Sequence, residues 1–328
     1  MDLCVRIEET VRTTASGLLF TRFADEQSTY KWHPLKSKAL THLAPLREHP
    51  FVVLLKRLAT QWWMNSFYSV SVLLESCDRG GYRTPEALSN QIPELLSEGY
   101  SDLLWEFQCA PLLAELWETT SDLWSGVARE CEQLLGSCRV GEFLQTFYGE
   151  ADRRLTVVPN PLDPASFGFA PSNAENYFSL VASPAIPRTE AREVTYTEWG
   201  PSFAGLVIHE FSHALLMSAR RNCPSLIDET RHLADWMSPR GYFATMYTTW
   251  DIQFDEVFIR AVEALWCQVT EGDAAARQKL EDEERKYGIS LIHPMYGALR
   301  DYLAHRNEGK YGGLRDFLPE LCQRMVNW

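Results

Sequence analysis

Hydrophobic positions recur at three- and four-residue spacing over most of the 328-residue chain, the period that keeps one helix face against a core. Pro34 and Leu35 open a helix over 34–47. Val52, Leu55, Leu58, Trp62, Phe67 and Val70 predict a long one over 51–76. Gly80 and Gly81 break the pattern. Further helices are expected over 85–98, from a Ser101/Asp102 cap through Trp117, from a Ser121/Asp122 cap through Leu135, and over 142–148. The texture then changes. Residues 154–159, 167–169, 177–181 and 193–197 read as strands, with turn chemistry over 160–164, and 18–23 reads as a short strand or packed arm. A second run of helices follows over 201–221, 225–238, 254–269, 273–286, 293–305 and 314–326. The fold class is therefore α+β, mostly α, with a small antiparallel sheet beside the helix over 201–221. A soft boundary over 149–152 separates a helical N-terminal subdomain (1–150) from a second domain (151–328). The charge run Asp282-Glu283-Glu284-Arg285-Lys286 reads as a solvated helix face.

One apolar helix carries unexpected chemistry. Residues 206–216 contain His209-Glu210-Phe211-Ser212-His213, a His-Glu-x-x-His pattern. Positions i and i+4 stack on one helix face, so both imidazoles can point at one metal ion. Glu210 lies on the adjacent face, in reach of a metal-bound water, as in zinc proteases. A chance match in a chain this long is on the order of one in a hundred. Leaving two histidines and a glutamate unpaired in so apolar a helix would cost several kcal/mol. Together these observations favour a metal site over two incidental core histidines.

Catalytic zinc takes three protein ligands and a water. Leu216 and Ala219 stand where the extended His-x-x-Gly-x-x-His motif needs Gly and His, which excludes that class. A carboxylate from a later helix is the alternative. Glu256, Arg260 and Glu263 fall at i, i+4 and i+7 on one face of the helix over 254–269. Glu256 is the proposed third ligand and Glu263 the alternative. An internal Glu-Arg-Glu ion network without metal is the competing reading.

The HExxH motif with a downstream helical Glu resembles the gluzincin class of zinc metallopeptidases. More closely, Tyr247-x-x-Trp250 with Glu256-Val257-Phe258-Ile259-Arg260-Ala261 is similar to a bacterial HExxH family known only as a domain of unknown function. His49-Pro50, Tyr302-Leu303-Ala304-His305-Arg306 and Phe317-Leu318-Pro319 share that likeness. The resemblance implies a zincin-like domain, Zn2+ held by His209, His213 and Glu256, and Glu210 as general base for peptide hydrolysis. Gluzincins often carry Asp four residues after the ligand Glu, where it orients a zinc-bound His. Arg260 occupies that position, so Asp251, Asp255 or Asp228 would have to supply the carboxylate, and Arg260 would hold Glu263 or a substrate carboxylate. Tyr247 is the preferred oxyanion donor among Tyr242, His232, His293 and Tyr296. By analogy with gluzincins, an edge strand over 177–181 would pair with an extended peptide.

Composition narrows the alternatives. With 45% hydrophobic residues and 11 Trp, the chain can build a sizeable core. A formal charge of −13 argues against nucleic acid or an anionic membrane as the main partner. The N-terminus lacks a basic segment followed by an apolar one, so a cytoplasmic location is expected. The eight cysteines form no C-x-x-C pair, which excludes a zinc ribbon and fits buried free thiols. The expected function is a zinc metallopeptidase acting on a peptide or protein. A zinc hydrolase of a non-peptide amide or small molecule, and an inactive zinc-binding or interaction protein, are the alternatives.

Overall fold

The expected mixture of many helices and a small sheet is what forms: the fold is α+β and mostly α. The computed structural model describes residues 2–21, 30–77, 80–85, 99–149, 153–163, 168–172, 176–184, 186–187 and 194–328. Two units divide the chain differently from a single cut near residue 150. One joins residues 2–137 to 154–203, and the other joins 138–153 to 204–328. The sheet therefore belongs with the N-terminal helices, because its first strand is the N-terminal segment itself.

The first unit runs β1 (Asp2–Val5), α1 (Glu9–Leu18), β2 (Tyr30–Lys31), α2 (Pro34–His42), α3 (Pro50–Leu58), α4 (Met64–Leu73), β3 (Glu75–Ser76), β4 (Tyr82–Arg83), α5 (Tyr100–Gln108), α6 (Pro111–Thr119) and α7 (Ser121–Ser137). It then takes up β5 (Arg154–Asn160), β6 (Gly168–Phe169), β7 (Asn176–Ala182) and β8 (Ile186–Pro187). Two His-Pro steps start helices in the same way. His33 Nδ1 accepts from Leu35 N at 3.3 Å and His49 Nδ1 from Phe51 N at 3.2 Å, while Pro34 and Pro50 occupy first-turn positions that need no N–H. Phe51, Phe67, Tyr100 and Phe107 fill the helical core, where the Thr14, Ser71 and Tyr100 hydroxyls lie 2.6–3.2 Å apart.

Several expectations are corrected here. Residues 51–76 form two helices and a strand, because the apolar period continues across the turn at 59–63. Residues up to Leu18 complete α1 instead of starting a strand, and 22–23 lie outside the described residues. The helix expected over 85–98 falls almost wholly outside them, as does 193. Tyr196–Trp199 is a 3-10 turn rather than a strand. The main sheet, ordered β1-β5-β7-β6, is mixed and not antiparallel: β5 runs parallel to both β1 and β7, and only β6 opposes β7. Both long strands are buried on both faces after their first residue, and their near-continuous apolar runs are the signature of parallel pairing. β7 is an interior strand, so the expected edge at 177–181 does not exist.

The second unit is helical: α8 (Val140–Tyr148), α9 (Pro201–Arg220, from Ala204 on), α10 (Leu226–Glu229), a 3-10 turn Arg231–Trp236, α11 (Gly241–Met246), α12 (Trp250–Glu271), α13 (Asp273–Tyr287), α14 (Ile292–Asn307) and α15 (Leu314–Val326). The one helical piece expected over 225–238 is thus a short helix and a 3-10 turn. Buried α12 packs chiefly on α13 and α14. Gly288 ends α13 at φ +71, and a Cβ there would stand 1.9 Å from the Ser238 carbonyl oxygen, so only glycine fits. No helix among the described residues is long and apolar enough to cross a membrane.

Candidate metal centre

Helix α9 is apolar nearly all round. Phe203, Val207, Ile208, Phe211, Leu215 and Leu216 are fully buried, which fixes its rotation and leaves His209 and His213 on one shared face. α12 presents Glu256, Arg260 and Glu263 to that face. Its start is held by Trp250 Nε1 donating to Thr230 Oγ1 at 3.1 Å and by Gln253 Nε2 donating to the Tyr247 carbonyl at 2.8 Å.

The three expected ligands converge. His209 Nε2 and His213 Nε2 stand 3.2 Å apart. Glu256 Oε1 is 3.5 Å from His213 Nε2, and Glu256 Oε2 is 3.9 Å from His209 Nε2. Donors about 2.0–2.1 Å from a tetrahedral ion lie roughly 3.3–3.4 Å from one another, so small movements close the cage. His209, His213 and Glu256 could therefore hold a metal ion. Glu256 is almost fully buried, whereas the His213 side chain is 34% exposed, which opens one side of the group to water.

Glu263 lies outside the group that could hold the ion. Its Oε1 accepts from His209 Nδ1 at 2.7 Å, which holds the proton on that nitrogen and turns the Nε2 lone pair toward Glu256 and His213. That is the contact expected of Asp251, Asp255 or Asp228. Of those, Asp255 pairs with Arg220, Asp228 pairs with Arg231 at the surface, and Asp251 is exposed in the first turn of α12.

Behind the ligands lies a connected ion network. Glu263 Oε2 pairs with Lys279 Nζ at 2.7 Å, Lys279 with Glu283 Oε1 at 2.9 Å, and Glu283 Oε2 with Arg260 Nη1 at 2.7 Å. Arg260 Nε returns to Glu256 Oε2 at 3.3 Å. Arg260 thus pairs directly with Glu283 and Glu256, and Glu263, beyond ion-pair distance, also favours its charge. Glu283 reads as solvated in the sequence because it lies in the charge run near the end of α13, and Lys279, one turn earlier, carries no pattern that marks it. Yet Glu283 is buried, on the face shared with Ala276 and Leu280, and that spacing was the available signal.

Electrostatics favour a dication here. Among the described residues, Glu256, Glu263 and Glu283 pair with Arg260 and Lys279, which leaves one carboxylate charge in excess, before Glu210 is counted, when both imidazoles are neutral. In the metal-free protein, burial opposes charge on His209, but bonded Glu263, then Glu256 and Glu210, raise it to about 9. Burial, with Glu256 and Glu263 beyond it, lifts Glu210 to about 7 against the pull of His209. Burial and the positive charges of His209 and Arg260 push His213 down to about 3. Despite burial, Lys279 and His209 hold the Glu263 carboxyl far below its ordinary value. Buried Glu256 Oε2 accepts no hydrogen bond even though Arg260 Nε lies 3.3 Å away, so its lone pairs are open to an ion. The donor set thus fits a divalent ion on chemistry as well as position.

Tyr247 follows α11, packs on Phe243 with ring centroids 4.6 Å apart, and lies in the neighbourhood of Arg260. His232 is exposed, His293 pairs with Glu284 at 3.1 Å near the surface, and Tyr296 neighbours Arg300. The side chain of Tyr242 lies outside the described residues. No protein-family model matches the chain, and no curated protein or solved structure matches it either.

Proposed function

We propose that this chain is a zinc-dependent hydrolase of the gluzincin type that cleaves peptide bonds. The observation that carries the reading is the convergence of two imidazoles and one buried carboxylate, with a second carboxylate, Glu210, next to them in the helix. His209, His213 and Glu256 would hold the ion. Zinc, when bound, supplies the Lewis acidity that brings a water pKa toward about 7.

The remaining steps belong to the chain. Glu263 holds the His209 proton on Nδ1 and keeps Nε2 free as a donor. Glu210, next to His209 in the helix, takes a proton from the attacking water and passes it to the leaving amine. Tyr247 is the candidate donor to the developing oxyanion. The choice of a peptide substrate comes from the gluzincin resemblance, since the same geometry would hydrolyse another amide equally well.

The test is cleavage of a peptide library by the zinc-loaded chain, with and without a chelator, alongside Glu210→Gln. Cleavage is expected to vanish with chelator and return with zinc. E210Q should retain zinc but lose about 10²–10⁴-fold in rate. Retained cleavage in E210Q rejects the assigned base. Cleavage of non-peptide amides alone rejects the peptidase reading.

A further inference from the structure

The ion network behind the ligands has one member whose position has a specific consequence. Glu283 comes from α13, touches neither imidazole, and grips two cations at once: Lys279 through Oε1 at 2.9 Å and Arg260 through Oε2 at 2.7 Å. Each cation also reaches a carboxylate of the centre. Lys279 pairs with Glu263, which orients His209, and Arg260 lies 3.3 Å from Glu256, which faces both imidazoles.

Geometry sets what Glu283 does to Arg260. The Arg260 Nε and Glu256 Oε2 are close, yet neither makes a hydrogen bond. Arg260 instead directs Nη1 to Glu283, and its guanidinium rests on the Tyr287 ring, 4.8 Å from the centroid. A guanidinium freed from Glu283 would turn its planar fork onto the nearest carboxylate, which is Glu256, and a bidentate pair would occupy both oxygens. Lys279, released in the same way, would be drawn wholly to Glu263. The competing cations are thus held back by one residue that is itself not a ligand.

We propose that Glu283 is a positioning residue of the metal centre: it restrains Arg260 and Lys279 so that Glu256 stays available to the ion and Glu263 stays aligned on His209. This rests on the metal-centre reading above. An ion network that only tied α13 to α12 would leave the ligand oxygens indifferent to Glu283. A cavity of about 620 Å³ lies against Glu283, Arg260 and Lys279, so water can solvate the site when the carboxylate is neutralised, and Glu283→Gln is expected to fold.

The experiment uses the whole chain and the metal alone. Zinc affinity is measured by competition with a chromophoric chelator, and the coordination sphere by the visible absorption of the cobalt(II)-loaded protein. E283Q should bind zinc about tenfold more weakly or worse and show an altered cobalt spectrum, since a displaced Glu256 changes the ligand field. Zinc affinity within twofold of the parent and an unchanged cobalt spectrum overturn the proposal and leave the hydrolase reading standing. Failure of the parent chain to bind zinc at all overturns both. Should E283Q not accumulate as folded protein, Glu283→Asp takes its place. It keeps the charge but is one methylene too short to grip Arg260 and Lys279 together, so the same spectral change is expected and its absence counts against the proposal.

Discussion

Replacing Glu263 by Gln removes one charge and almost no volume, yet the structure leaves the amide no good orientation. Oε1 of Glu263 accepts from His209 Nδ1 at 2.7 Å, and Oε2 accepts from Lys279 Nζ at 2.7 Å. A glutamine that turns its oxygen to His209 aims its NH2 at an ammonium. Turned the other way, it aims the NH2 at the imidazole N–H. Either way a buried donor faces a donor, at a cost of about 1–3 kcal/mol. The relief open to His209 is to move its proton to Nε2, the nitrogen that faces the ion, and metal binding must then reverse that. The expected loss of zinc affinity is about 10–100-fold, equivalent to roughly 1.4–2.7 kcal/mol. Competition with a chromophoric chelator measures it directly. Thermal unfolding with and without zinc checks it independently, because ligand stabilisation follows RT ln(1 + [L]/Kd) and at a fixed excess of zinc should fall by about the same energy. A zinc affinity for E263Q within twofold of the parent would falsify the claim that Glu263 sets the His209 tautomer.

Two further outcomes concern stability. His33 caps α2 through a lone pair on Nδ1 and is buried, which lowers its pKa to about 4. A histidine with a depressed folded-state pKa contributes stability that is complete above about 6.5 and is lost as pH falls toward 4, up to roughly 3 kcal/mol. Urea unfolding across that window should show a steeper acid loss for the parent than for His33→Asn, which keeps a capping oxygen but does not titrate there. Parallel curves would remove His33 as the cause. Gly288→Ala places a Cβ 1.9 Å from the Ser238 carbonyl at φ +71 and should destabilise by about 2–4 kcal/mol in chemical denaturation. A loss below about 1 kcal/mol would mean that the turn between α13 and α14 relaxes freely.

Much of this protein is local and was open to reading from residue order. The HExxH spacing stacks two imidazoles wherever that segment is helical, and the apolar surround makes it so. α12, α13, α14 and α15 run close to the bounds that their periodicity predicts, because helix propensity and the glycines at helix ends act within a few residues. Glu256 as a partner of the histidine pair was also within reach, since a charged stripe on a buried helix requires a partner.

Tertiary structure decided what depends on elements meeting across the chain. Strand periodicity does not encode direction, so only the pairing of β5 with β1 and β7 made the sheet mixed and put residues 177–181 in its interior. Spacing placed Glu256 and Glu263 on one face, but only the approach of α12 to α9 made one a candidate ligand and the other the partner of His209 Nδ1. Glu283 looked solvated because a charge run says nothing about which of its members turns inward. The packing of α13 on α12 buried it between two cations. Period and capping are short-range properties of the backbone, whereas the identity of a buried charge's partner is settled by which surfaces the fold presses together.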